Sequence, residues 1–476
     1  MSTLFSFPAP GRRQGYAIAL SLLAVLGSAA EPARGGETPI SNTASLKSPL
    51  ASVTVPGSKP KVTFFINYGD ETGGSCGLLT KVTTYSDGVS LTKNIAIFGT
   101  AGHPGCHPNS VSLSSDGTQV IVGTESGGAN DIGVGNVYDA STGDLISTLS
   151  FSGSGGSLEV GITLQPPANA PLGRADHAIT DSTPAGTNLY LTTGNAIYEA
   201  TLTSSGTIST PQLIFAFPLG PHGNFGSGGA IPYGPAVIGP DGNLYGTTNQ
   251  GGSKKADDGV VYELAPVTVG TTTTWTETVL HTFTGGADGG RPVATVAFDS
   301  IGNLYGTTTL GGMLNGTLTN CTPGGEGVQG CGVVFELLNR GSTAPWPEKV
   351  LWSFSGGADG AVPEAPVVLD AHNYIYGTTF AGGNINLAAC SGEGVGGTTP
   401  GCGVVFKLTS KKVPRTETVL YAFMDGTDGA EPEGGPLTLD GKDIFGTTVA
   451  GGDPDCPGGL GLGYAQGCGV VFEITP

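Results

Sequence analysis

One phrase, used four times, sets what this chain can fold into. Asn303-Leu304-Tyr305-Gly306-Thr307-Thr308 leads, through a glycine-rich insert, to Gly330-Cys331-Gly332-Val333-Val334-Phe335. Leu244-Tyr245-Gly246-Thr247-Thr248 leads to Gly259-Val260-Val261-Tyr262. Ile375-Tyr376-Gly377-Thr378-Thr379 leads to Gly401-Cys402-Gly403-Val404-Val405-Phe406. Ile444-Phe445-Gly446-Thr447-Thr448 leads to Gly467-Cys468-Gly469-Val470-Val471-Phe472. The Gly-Thr-Thr steps are 60, 71 and 69 residues apart. A repeated unit of this kind cannot bury its apolar face alone, so successive units share one core.

Each unit reads as four short strands, a to d in chain order. In the unit from Pro292 to Phe354, a is 293–298, b is 303–308, c is 333–337 and d is 349–354. Val, Thr, Tyr and Phe fill these runs, and Gly, Pro and Asp-Gly separate them, as strands and turns require. The 83 glycines therefore mark turns and inserts in an ordered array rather than disorder. Reading outward gives seven units. The first three are carried by 63–67 and 94–98, by 110–113, 119–122 and 145–149, and by 188–191 and 213–217. The last four begin near Pro235, Pro292, Pro363 and Pro436, and the seventh reaches Pro476 without a strand d. Four-stranded units in this number specify an all-β, seven-bladed β-propeller of four-stranded antiparallel blades. Closing the ring with an N-terminal strand removes the exposed sheet edges. Ser52-Val53-Thr54-Val55 is the expected donor, with strand a of the first unit as its other reading. An open β-solenoid fits less well, because solenoid coils are shorter than these units.

The succession Gly302-Asn303-Leu304-Tyr305-Gly306-Thr307-Thr308, Gly311-Gly312, Gly332-Val333-Val334-Phe335 and Phe354-Ser355-Gly356-Gly357-Ala358-Asp359-Gly360 with Pro363 resembles the GloVer tandem repeat of secreted bacterial proteins. The resemblance is strong over 235–476 and weak before it. It implies the propeller and the export route, and no enzymatic activity. The family name is read as referring to varied C-terminal surface anchors, and no such segment follows Pro476.

The N-terminus supports export. Arg12 and Arg13 flank an apolar run at 16–26 that is too short to span a bilayer. Ser28-Ala29-Ala30 supplies small residues for cleavage before Glu31, so 1–30 reads as a signal peptide. The arginine pair resembles a twin-arginine signal in part only. Residues 31–50, rich in Pro, Gly, Ser and Thr, read as a flexible linker. Residues 51–476 then form a single propeller domain, placed in the periplasm or outside the cell. No later stretch is long and apolar enough to predict a transmembrane helix. The net charge of −19 repels phosphate backbones and anionic lipid, which argues against nucleic acid and membrane surfaces as partners.

Strand direction sorts the loops. The a–b and c–d turns fall on one face, and the b–c inserts and d-to-a links fall on the other. The second set is the long one, so function is expected there. Eight cysteines in an exported chain imply disulfides. Cys321 with Cys331, Cys390 with Cys402, and Cys456 with Cys468 flank the last three inserts, leaving Cys76 with Cys106 on the same face. No Cys-x-x-Cys spacing points to zinc. His103 and His107 lie in the link before the second unit, His177 starts strand a of the third, and His222 lies in the link before the fourth. Strand a is innermost in a propeller, so these imidazoles are candidates for a ligand or metal site at the channel mouth. His281 and His372 read as structural. The Asp-Gly links at 288, 359 and 428 offer calcium one carboxylate each, or cap their own turns.

No Gly-x-Ser-x-Gly, His-Glu-x-x-His or phosphate loop occurs. The leading expectation is a monomeric binding module that recognises an extracellular or periplasmic protein or polysaccharide through its long-loop face. The rival is a propeller lyase or hydrolase using the four histidines. A divalent metal is the one cofactor this rival admits, and none is expected otherwise. A purely structural envelope protein is a third reading.

Overall fold

The computed structural model describes residues 16–19, most of 49–150, 161–164, most of 187–218, 227–252, 257–312, 321, 330–385 and, with short gaps, 393–452 and 469–475. All regular structure among the described residues is β-strand. The long strands pair antiparallel in chain order a-b-c-d. The first sheet is Pro49–Thr54, Lys61–Asn67, Leu78–Thr84 and Ser90–Ile97. The second is Cys106–Leu113, Gln119–Ser126, Val134–Asp139 and Leu145–Ser150, and the third is Gly161–Leu164, Thr187–Thr192, Ala196–Leu202 and Gln212–Ala216. The fourth is Val237–Ile238, Leu244–Thr248, Val260–Val269 and Thr272–Thr282. The fifth is Ala297–Phe298, Leu304–Thr308, Val333–Leu337 and Glu348–Ser353, and the sixth is Val368–Leu369, Ile375–Thr379, Val404–Thr409 and Thr416–Ala422. A seventh set, Thr438–Asp440, Asp443–Thr447 and Val471–Thr475, is completed by Tyr16–Ala19.

The repeated phrase is what joins one sheet to the next. A Cβ on Gly306 would stand 2.6 Å from Cζ of Phe335, and one on Gly377 2.6 Å from Cζ of Phe406. Glycine in strand b is thus the space that the aromatic ring of strand c fills. That ring packs edge-on against a phenylalanine of the preceding unit. Phe283 meets Phe335, Phe354 meets Phe406 and Phe423 meets Phe472, each pair 5.2 Å apart between centroids, a favourable aromatic geometry. The first threonine bonds across the seam: Thr247 Oγ1 donates to Ala294 O at 2.8 Å, and Thr307 and Thr378 donate to Ala365 O and Pro432 O at 3.3 Å. The second threonine stays within its sheet. Thr308 Oγ1 donates to Leu310 O and accepts from Val333 N.

Strand a is shorter than expected. Its ladder in the fifth sheet is Ala297–Phe298 rather than 293–298. The reason is that the preceding residues bond sideways: Ala294 O accepts from Thr247, and Thr295 Oγ1 donates to Pro235 O at 2.7 Å. The expected donor strand also changes place. Pro49–Thr54 pairs with Lys61–Asn67 and is strand a of the first sheet, because a short connection returns the chain onto itself locally. The outer position of the seventh set pairs Tyr16 with Thr475 through Ala19 with Phe472. That strand lies inside the segment read as an export signal.

Candidate functional site: the face of links and inserts

The links and the inserts are backbone-bonded to one another. Gly290 bridges to Leu310, Ala361 to Ala381 and Ala430 to Ala450, and Gly229–Ala230 pairs with Gln250–Gly251. The two long sets of segments therefore lie together, as strand direction implies. The residue before the proline of each link is forced into the left-handed region: φ is 57° at Ile231, 55° at Arg291, 55° at Val362 and 56° at Glu431. Such a conformation costs an L-residue about 1–2 kcal/mol. Two fixed bonds offset it. Val362 N donates to Cys331 O of the preceding unit at 2.9 Å, and Val362 O accepts from Phe380 N of its own unit at 2.9 Å. Arg291 and Glu431 repeat this pattern.

The Asp-Gly links cap themselves. Thr284 N and Oγ1 donate to the Asp288 carboxylate at 3.0 and 2.5 Å, and Ser355 N and Oγ donate to Asp359 at 2.8 and 2.5 Å. Asp428 accepts from Met424 N and from the Tyr421 hydroxyl. These carboxylates are engaged by their own turns, which is the second of the two roles expected of them. Among the described residues, no group of three or more His, Cys, Asp or Glu side chains is spaced to hold a metal ion.

Cys321 and Cys331 form a disulfide with a Cα separation of 5.5 Å. It ties Cys321, within the insert, to the residue two before strand c. Cys76 and Cys402 are also disulfide-bonded. Cys390, Cys456 and Cys468 lie outside the described residues, and Cys106 opens strand a of the second sheet. The fourth unit has no staple, and its insert is held by acids. Asp258 occupies the slot of Cys331, is 3% exposed, and has Oδ1 3.9 Å from Arg291 Nε. Burial pushes its carboxyl up to about 6, with Arg291 opposing. Asp257 Oδ1 accepts from Gly251 N at 2.7 Å, closing the loop.

The candidate histidines fare differently. His103, His177 and His222 lie outside the described residues. His107 lies in strand a of the second sheet rather than in the preceding link, because the ladder already begins at Cys106, opposite Ser126. His372 sits on the opposite face, with a 77% exposed side chain stacked on Tyr374.

His281, expected to be structural, lies near two acids. Its Nε2 lies 3.8 Å from Asp288 Oδ2 and 3.8 Å from Glu348 Oε2. The signal for this group was present in the repeat. Glu277, Glu348 and Glu417 hold the same place in strand d, and Asp288 and Asp359 the same place in the link. Only the sideways packing of sheets reveals that these two columns face each other.

Four-stranded antiparallel sheets, recurring in chain order and joined through equivalent seams, define a repeat protein of the β-propeller type. More than half of the chain, residues 180–453, matches the Gloeobacter/Verrucomicrobia repeat. The chain belongs to that family. The family takes its name from two bacterial groups, so the reading of that name as C-terminal anchors is set aside. Comparison with curated proteins gave no match. Among solved structures, the chain is similar to a putative 6-phosphogluconolactonase from Bacteroides fragilis, at 13% identity over 81% of this chain and 87% of that one, with a TM-score of 0.47. It is also similar to the periplasmic gluconolactonase of Pseudomonas aeruginosa, at 13% identity over 87% and 100% of the two chains, with a TM-score of 0.44. The β-propeller domain of the Trilobed protease from Pyrococcus furiosus follows at 10% identity over 79% and 85%, with a TM-score of 0.34. Likeness at this level carries no argument about activity.

Proposed function

We propose that this chain is an exported, seven-bladed propeller that binds a protein or polysaccharide outside the cytoplasm through its face of links and inserts. The observation that carries this reading is how one long insert is held. Its start and its end are bonded together through Gly332 N to Gly311 O at 3.0 Å, and its middle is tied down at Cys321–Cys331. Variable loops anchored on a rigid frame are the usual seat of recognition. The net charge of −19 favours uncharged glycans or basic protein surfaces over anionic ones.

The ring is part of the proposal. Strand Pro49–Thr54 of the first sheet lies beside Asp443–Thr447 of the seventh set, which supports one closed body. A chain cut before Glu31 loses Tyr16–Ala19, and Val471–Thr475 then becomes a sheet edge unless another segment covers it.

The test is a screen of the chain beginning at Glu31 against glycan and peptide arrays, beside a variant in which 313–329 is replaced by a short Gly-Ser loop with Cys331→Ser. The reading expects a ligand that the variant loses while its melting curve stays cooperative. Binding unchanged in the variant, or turnover of a glycan without stable binding, counts against it. Sedimentation of the same sample should return a monomer.

A further inference from the structure

The seam between the fourth and fifth sheets holds a group of side chains that the loop face does not use. His281 comes from strand d of the fourth sheet, Asp288 from the link, and Glu348 from the start of strand d of the fifth. Their side chains are 16%, 18% and 12% exposed. His281 Nε2 stands 3.8 Å from an oxygen of each acid, and both Nε2 and Glu348 Oε1 are buried without a hydrogen-bond partner. Phe283 closes one side of the imidazole, 4.8 Å away. Asp258, itself near Asp257 and Arg291, adds charge close to Asp288, and Lys349 turns away to Glu336 at 3.4 Å.

We infer that this group is a proton-operated latch: a proton retained by the Glu348 carboxyl lets the link lie clamped between the two outer strands. Release of that proton to water leaves two largely buried carboxylates on either hand of one imidazole, each with an oxygen 3.8 Å from its Nε2. Like charges at such a site oppose one another with little solvent screening, so the seam loosens as pH rises. Burial first, and then the charge of Asp288, push the Glu348 carboxyl up to about 8. Burial also works against Asp288, but His281 and Thr284 hold its carboxyl below the usual range. Of the two acids, Glu348 is thus the one that keeps the proton. Because its folded value lies above its unfolded one, the stabilisation is complete below about pH 4.5 and is lost as pH rises through about 8.

Neighbouring seams grade the same design. In the next one, Glu417 faces Asp359 with Trp352 in the place of the imidazole, and burial followed by Asp359 pushes its carboxyl up to about 7. In the preceding one, Gly228 stands where the link acid would be, and Glu277 accepts from Gly229 N at 2.8 Å. The latch is therefore specific to seams whose link carries an acid. It stands whether or not the loop face binds a partner.

Hydrogen exchange of the full chain between pH 5 and 9, corrected for intrinsic rates, tests it. Trp346 N donates to Leu280 O across the fourth–fifth seam at 2.7 Å, and Arg415 N donates to Leu351 O across the next at 2.9 Å. Protection at Trp346 should fall about tenfold or more between pH 6 and pH 9. In Glu348→Gln it should stay flat at Trp346 and still fall at Arg415. In Glu417→Gln the two amides should exchange these behaviours. Should Glu348→Gln not fold, the unsubstituted chain still decides, since the fall at Arg415 must level off near pH 7 and that at Trp346 must continue to about pH 8. Flat protection at Trp346 in the unsubstituted chain, or an unchanged fall there in Glu348→Gln, overturns the latch.

Discussion

Gly306 shows how one position can serve two sheets. Its missing side chain admits the Phe335 ring, and that ring meets Phe283 of the preceding unit. Gly306→Ala should therefore cost about 1–3 kcal/mol by overpacking, read as a lower denaturant midpoint with an unchanged slope. A neutral substitution there would mean that the ring has room the packing does not indicate. The phrase around Gly306 was legible in the sequence as a repeat, and in the structure its first threonine bonds between units. Thr247, Thr307 and Thr378 do so. The role of His281 was not legible. Its partners lie 7 and 67 residues away in the chain, and nothing local distinguishes it from the Trp352 and Tyr421 that fill the same slot.

At the scale of elements, strand c of the fifth unit, Val333–Leu337, stands where the sequence placed it, and strand b differs by one residue at its start. Both are apolar runs bounded by glycine, the strongest strand signal available. Two features escaped. Strand a is half consumed by bonds to its neighbour, and strands c and d slip register once in the fifth sheet, at Val334/Phe335, and once in the sixth, at Val405/Phe406. A bulge adds one residue without changing the composition, so pattern alone does not reveal it. The disulfide was legible because its two cysteines flank one insert. Replacing Cys321 and Cys331 by serine should cost about 3 kcal/mol through the freed ten-residue loop. Denaturant titration of the variant beside the oxidised parent measures it, and equal midpoints would show that the staple contributes nothing to the frame.

For the whole molecule, the buried acids set a direction for pH. The carboxyls of Glu348, Glu417 and Asp258 are pushed by burial up to about 8, 7 and 6. Each folded value is raised, so each contribution is full below the ordinary carboxyl range and is lost as pH climbs to the folded value. The melting temperature should therefore be higher near pH 5 than near pH 8.5, and the reverse order in a calorimetric scan would contradict the burial of these groups. The all-β repeat was legible from one sequence because every unit restates it. Which N-terminal segment completes the proposed ring was not legible, since the contact between the first and last units occurs once and no repeat reinforces it. An intramolecular distance between spin labels at Ser52→Cys and Asp443→Cys measures that contact directly. Sheets arranged about one axis predict a single short distance of about 10–20 Å, whereas a linear stack with sheets about 10 Å apart would place the labels roughly 60 Å from each other.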